Sequence, residues 1–169
     1  MTTVTEQKPI AAERTSARLY PLRDEGPSDA LVIHCADPRF QQAFAEFIKE
    51  ELNIERPSVI SVPGSSSSFA VQGFLPKNWH ALRKQIELMA EHNAYPRVVI
   101  IDHEDCKGYA AVAQYLGRLI DVQSAQRKYL KALAKFLAKE FLPQARFELY
   151  RARIVQNGTS RAVQFEKVL

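Results

Sequence analysis

The sequence has few of the features that are typical of membrane proteins, fibrous proteins and secreted proteins. No apolar run approaches the ~20 residues that a membrane-spanning helix requires, which excludes an integral membrane protein. Six glycines and nine prolines are too few for a collagen-like or low-complexity chain. The polar and charged N-terminus has no apolar segment of the kind found in signal peptides. We therefore expect a cytoplasmic protein, whose two cysteines indicate a metal site, redox chemistry or simple packing.

Length and composition predict one soluble domain. Apolar residues make up 46% of the chain and charged residues 25%, which is the balance of a globular protein. A chain of 169 residues is long enough to bury roughly 70% of its unfolded surface. We expect residues 1–27 to form an N-terminal arm, with one helical turn near residues 11–19. Residues 28–169 are expected to form a single domain.

Positive charge is concentrated in the C-terminal part of the chain. Residues 1–120 carry 13 basic and 15 acidic side chains, whereas residues 121–169 carry 10 and 4. Such an excess is one signature of nucleic-acid binding. However, the lysines of residues 128–139 recur at helical spacing opposite leucines, which is typical of a solvated helix face. No aromatic interleaving or nucleic-acid motif accompanies them, so we predict no nucleic-acid partner.

Short apolar runs alternate with helical periodicity along most of the chain. Strands are predicted at residues 30–34, 58–62 and 97–102, and helices at residues 40–52, 79–89, 109–116 and 121–141. Residues 63–68 are predicted to form a loop. Two further strands, at residues 147–155 and 162–168, are joined by a turn at Asn157 and Gly158. This order predicts an α/β fold with a mostly parallel central sheet, flanking helices and an antiparallel edge strand near the C-terminus.

Both cysteines follow predicted parallel strands. Cys35 comes directly after the first strand, and His103 and Cys106 follow the third. Ligands of such sheets bind beyond the carboxyl ends of the strands. Two thiolates and an imidazole favour zinc, and three protein ligands leave a fourth position open for water or substrate. Cys106 also precedes a predicted helix, whose N-terminus stabilises a thiolate.

Plainer interpretations of the same residues remain open. A free cysteine is often a small buried apolar side chain, and two cysteines can also form a disulfide. Asp37 and Arg39 follow Cys35 at spacings that allow an ordinary ion pair at the start of the next helix. The joint occurrence of both cysteines and a histidine at strand ends favours the metal site.

The motifs Cys-x-Asp-x-Arg, at residues 35–39, and His-x-x-Cys, at residues 103–106, resemble those of the β-class carbonic anhydrase family. The resemblance implies a zinc ion held by Cys35, His103 and Cys106. It implies that Asp37 is either the fourth ligand or the acceptor of a hydrogen bond from zinc-bound hydroxide. Arg39 would then draw Asp37 off the metal. The implied activity is the reversible hydration of CO2 to bicarbonate and a proton, and the implied assembly is a homodimer or a larger homo-oligomer.

The sequence departs from the family pattern at the expected pocket wall and in the arm. The family has glycine directly after its second cysteine, but here Lys107 precedes Gly108. In the segment 62–68, only Gly64 corresponds to the family's Arg-Asn-Ala-Gly-Asn-like loop. The arm, residues 1–27, is short for a family that exchanges such arms between subunits. These differences leave two alternatives open: a zinc hydrolase of COS or CS2, and a catalytically silent zinc-binding or regulatory protein.

Overall fold

The computed structural model describes residues 19–22, 26–73, 75–115 and 121–169. The helical turn predicted near residues 11–19 lies outside these ranges except at its last residue. Within them, no helix is both long enough and apolar enough to cross a membrane.

A five-stranded sheet forms the centre of the domain. Its strands are β1 (Ala30–His34), β2 (Pro57–Ser61), β3 (Arg97–His103), β4 (Arg146–Asn157) and β5 (Ser160–Lys167). Their spatial order is β2-β1-β3-β4-β5. The first four strands are parallel, and β5 pairs with β4 in the antiparallel sense. The predicted fold class is therefore confirmed.

The C-terminal hairpin turns one residue later than the sequence predicts. Asn157 still belongs to β4 and pairs with Ser160, so Gly158 and Thr159 form the two-residue connection. Gly158 has a φ of +60°. Glycine adopts this left-handed conformation without the steric cost that other residues incur.

Within the described ranges, five helical segments connect the strands. They are α1 (Gln41–Glu46), which continues as a π-helical turn at Phe47–Glu51, α2 (Ser67–Ala70), α3 (Pro76–His92), α4 (Lys107–Tyr115) and α5 (Val122–Glu140). The predicted helix 40–52 is thus regular only in its first half, because the Leu52 N–H donates to the Phe47 carbonyl five residues earlier. The predicted serine loop contains α2, which periodicity did not indicate because the segment is only four residues long.

Both faces of the sheet are covered, and an apolar core lies on each face. Every residue of β1 is buried, as predicted for a central parallel strand. On one side, alternate strand residues pack against α3 and α5. On the other side they pack against α1, together with the β5 side chains Val163 and Phe165. On α5 the leucines at 130, 133 and 137 are buried and the lysines at 128, 131, 135 and 139 are exposed, so the predicted solvated face of this helix is confirmed.

Candidate metal centre

The carboxyl edge of the sheet brings Cys35, His103 and Cys106 together. Cys35 follows β1, His103 ends β3, and Cys106 lies directly before α4. Their potential ligand atoms all lie within 4.8 Å of one another, and all three residues are buried. Both cysteines are free thiols, which leaves the disulfide interpretation without support. Two soft sulfur donors and one imidazole in a buried group fit zinc.

His103 is oriented with one ring nitrogen toward this group. Its Nδ1 lies 2.7 Å from the Glu104 carbonyl oxygen. A carbonyl can only accept, so Nδ1 carries the proton and Nε2 has the free lone pair. Nε2 is buried and has no hydrogen-bond partner among the described residues. The ring packs on Phe40, with 4.3 Å between the ring centroids. A hydrogen bond and a ring contact therefore fix the orientation of the imidazole and leave Nε2 available to a metal.

The two thiols interact with each other and with a backbone amide. The neighbouring Cys106 thiol lowers the pKa of Cys35, and the nearby Cys35 sulfur and burial raise the pKa of Cys106. The Gly64 N–H also donates to the Cys35 sulfur, at 3.2 Å. The site thus already stabilises one thiolate, the form of cysteine that binds metals.

Asp37 and Arg39 form a charge-assisted pair beside the three donors. The Arg39 Nη2 lies 2.7 Å and its Nε 3.0 Å from the two Asp37 carboxylate oxygens. The Arg39 backbone N–H donates to the same carboxylate at 3.0 Å. These hydrogen bonds from Arg39 lower the pKa of Asp37 to about 2. Asp37 therefore stays ionised at neutral pH and can only accept a hydrogen bond. That Asp37 ligates a metal stays a prediction, because its carboxylate is bound to Arg39 and is not one of the three clustered donors.

Asp105 is a second partner of Arg39 that the sequence analysis did not assign. Arg39 donates from Nη1 to the Asp105 carboxylate at 2.8 Å and from Nη2 to its carbonyl at 3.2 Å. Asp105 reaches this position with a φ of +57°, a conformation that aspartate tolerates better than most residues. The guanidinium thus bridges the loops that follow β1 and β3.

An open cleft of about 450 Å³ leads to the Cys35 side of the group. It is lined by residues 35–39, Pro63, Gly64, Lys107 and Gly108. Alanine and proline side chains give it apolar surface, and the Asp37–Arg39 pair gives it charge. Pro63 and Lys107, two of the departures from the family pattern, thus line the cleft together with the residues of the first motif.

Gly64 and Gly108 contact each other through their backbones. A methyl group on Gly108 would lie 2.5 Å from the Cα of Gly64. Gly64 has a φ of +82°, and a methyl group there would collide with the Ser67 hydroxyl. Glycine is therefore required at both positions. Gly108 thus packs the start of α4 against the loop that carries the Gly64 amide.

The sequence analysis also did not predict a buried polar network that joins β3, the loop after β2 and α4. The Asp102 carboxylate accepts from the Ser66 N–H at 3.2 Å, the Ser66 hydroxyl at 2.6 Å and the Tyr109 hydroxyl at 3.0 Å. Burial raises the pKa of Asp102 to about 6. The sequence offers one signal for this network, namely a carboxylate that directly follows four apolar residues in a buried strand.

Residues from α5 and β4 support His103 from its other side. The Gln126 Nε2 donates to the His103 carbonyl at 2.7 Å, and the Arg151 Nε donates to the Gln126 Oε1 at 3.2 Å. Glu104 accepts from the Ile154 N–H at 2.9 Å. Gln126 and Arg151 come from positions that no motif indicated, because their roles depend on contacts between elements far apart in the chain.

One comparison with known proteins, with a family model, agrees with the motifs. A family model described as "putative carbonic anhydrase" matches residues 27–136. A solved structure of β-carbonic anhydrase isoform I from the protozoan Trichomonas vaginalis is 11% identical to this chain. The match covers 86% of this chain and 87% of that one, with a TM-score of 0.39. The description of the fold therefore rests on the strand order and pairing of this chain itself. No curated protein matches the sequence.

Proposed function

Because the chain belongs to the putative carbonic anhydrase family, we propose that it is a zinc enzyme that hydrates CO2 to bicarbonate and a proton. The observation that carries this proposal is the buried Cys35–His103–Cys106 group beside an open cleft. Three protein ligands with an accessible fourth position are the arrangement of catalytic rather than structural zinc sites.

We assign zinc binding to the two sulfurs and to Nε2 of His103. When bound, zinc supplies a Lewis acid that makes water acidic enough to deliver hydroxide near neutral pH. The His103 ring is held for this task by Glu104 and Phe40. The Gly64 amide supports the Cys35 thiolate.

In this proposal Asp37 orients the attacking water. Arg39 keeps the carboxylate ionised, so Asp37 can accept a hydrogen bond from that water but cannot donate one. The apolar walls of the cleft, formed by Ala36, Pro38 and Pro63, would receive CO2. Asp37 becomes a fourth ligand only if it leaves Arg39, so the pair acts as a gate on the open position.

The decisive experiment is a CO2 hydration assay on zinc-loaded protein, followed with a pH indicator from pH 6.5 to 9. We expect about one zinc per chain and measurable hydration. Cys106→Ser should lose the metal and the activity together, because a serine hydroxyl is a poor zinc ligand. Full zinc retention in Cys106→Ser would remove that residue from the ligand set. Zinc-loaded protein without hydration would refute the proposed reaction but not the metal site.

A second candidate function keeps the metal site and changes the substrate to COS or CS2. It is favoured by the cleft wall, where Lys107 and the segment that begins at Pro63 replace the family pattern. Release of hydrogen sulfide from COS by the same zinc-loaded sample, faster than CO2 hydration, would support it. A zinc-loaded protein inactive on all three substrates would favour a silent zinc-binding or regulatory role.

We also propose a cytoplasmic homodimer. Two free, buried cysteines suit a reducing compartment. The β4–β5 hairpin lies at one edge of the sheet, where β5 has only one neighbouring strand within the described chain. An open edge is a hazard that pairing with a second subunit would remove.

A further inference from the structure

Asp102 joins three segments of the chain behind the metal centre. The residue lies in β3 and is only 1% exposed. Its carboxylate receives the Ser66 N–H and hydroxyl from the loop that follows β2, and the Tyr109 hydroxyl from the first turn of α4. The two hydroxyls lie 2.6 Å from each other, which closes the network.

Each of these segments carries one part of the metal centre. The loop bears the Gly64 N–H that donates to the Cys35 sulfur. Cys106 lies three residues before Tyr109. His103 is the residue after Asp102 in β3. The Gly64–Gly108 contact brings the loop and α4 together at the cleft.

We propose that Asp102 is a positioning residue of the metal centre, which holds the Gly64 amide on the Cys35 sulfur by binding Ser66 and Tyr109. This inference rests on the proposed metal site. Without the carboxylate, the group that accepts from the Ser66 amide and both hydroxyls is lost. The loop is then free to move away from α4, and the thiolate loses a donor. Groups that orient metal ligands in this indirect way commonly affect metal affinity by about 10-fold or more.

A purely structural role is the competing explanation, since any satisfied buried network stabilises a fold. The two explanations differ in what the folded protein does. A structural network changes the free energy of unfolding but leaves the zinc affinity of the folded state unchanged. A positioning network changes that affinity even at temperatures where the protein is fully folded.

The test compares Asp102→Asn with Glu148→Gln. Asparagine keeps the volume but replaces one acceptor oxygen with a donor. Glu148 is also a buried carboxylate; it lies on β4, near the opposite end of the sheet from the metal centre, and pairs in register with Val99. Zinc affinity is measured by chelator competition, and the thiolate-to-metal charge-transfer band is recorded with cobalt(II). We expect Asp102→Asn to lose affinity by about 10-fold or more and to shift the band, while Glu148→Gln matches the wild type in both.

The possible outcomes distinguish failure of the positioning role from failure of the metal site. Wild-type affinity and an unshifted band in folded Asp102→Asn would overturn the positioning role and leave the metal site intact. Absence of metal binding in the wild type would overturn both. If Asp102→Asn does not fold, Ser66→Ala and Tyr109→Phe replace it, because each removes one donor and keeps the carboxylate. Unchanged affinity in both would then refute the proposal.

Discussion

Replacing Gly108 with alanine tests the close approach of the loop and α4 at the cleft. Gly108 is the second residue of α4. Helix propensity alone predicts that Gly108→Ala is stabilising by up to about 1 kcal/mol. The structure predicts the opposite sign, because the new methyl group would lie 2.5 Å from the Gly64 Cα.

The expected magnitude follows from the overlap. Ordinary contacts of this kind begin near 3.4 Å, so one of the two backbones must move by roughly 1 Å. The neighbour is main chain and cannot rotate away as a side chain could. Overpacking costs about 1–3 kcal/mol, and an overlap with main chain at 2.5 Å belongs to the upper part of that range, about 2–3 kcal/mol, which exceeds the gain in propensity. We therefore expect a net destabilisation of about 1–2 kcal/mol, together with weaker zinc binding as the Gly64 amide shifts from Cys35.

The assay is denaturant unfolding of the metal-free protein, combined with chelator competition for zinc. Gly73→Ala is the matched control, because a methyl group there meets nothing within 4 Å. We expect its unfolding free energy to stay within about 0.5 kcal/mol of the wild type. A Gly108→Ala protein as stable as the wild type, with unchanged zinc affinity, would refute the steric argument.

Three further predictions concern the gate, the acid stability and the assembly. Arg39→Ala should retain zinc but lose most activity, because Asp37 becomes free to occupy the open position on the metal. Arg153 is comparably exposed and pairs with Glu166, so the control Arg153→Ala should stay active. An active Arg39→Ala enzyme would contradict the gate. Burial raises the pKa of Glu148, but hydrogen bonds led by that from Arg97 lower it to about 2. The ionised Glu148 therefore contributes up to about 3 kcal/mol to the free energy of unfolding. This contribution should be present above about pH 4.5 and be lost as the pH falls toward 2. Glu148→Gln should remove this part of the pH dependence in acid-unfolding curves. Light scattering at micromolar concentration should give the mass of a dimer; a fully active protein with the mass of one chain, 19.2 kDa, would refute the homodimer.

Local patterns in the sequence were sufficient to predict the sheet and the cluster of three potential metal ligands. Short apolar runs predicted β1 and β3 because strands buried on both faces need continuous apolar residues. Once those strands are parallel, their carboxyl ends share one edge. Cys35, His103 and Cys106 therefore had to approach each other, and the structure brings their ligand atoms within 4.8 Å.

Other features of the site depended on contacts between segments far apart in the chain. The turn of α2, the attachment of Asp105 to Arg39 and the support of His103 by Gln126 have no local signature. Asp102 stands out in the sequence as a charged residue at the end of an apolar run, but the sequence does not indicate its partners Ser66 and Tyr109.

The physical reason is the range of the interactions. Hydrophobic periodicity is a property of neighbouring residues and can be read from order alone. A hydrogen bond or a backbone contact requires a distance and an angle, which exist only after the strands and helices have packed. Order along the chain thus determined which residues could bind a metal. Packing decided which hydrogen bonds hold them, why Gly64 and Gly108 must be glycines, and which carboxylate links the loop to α4.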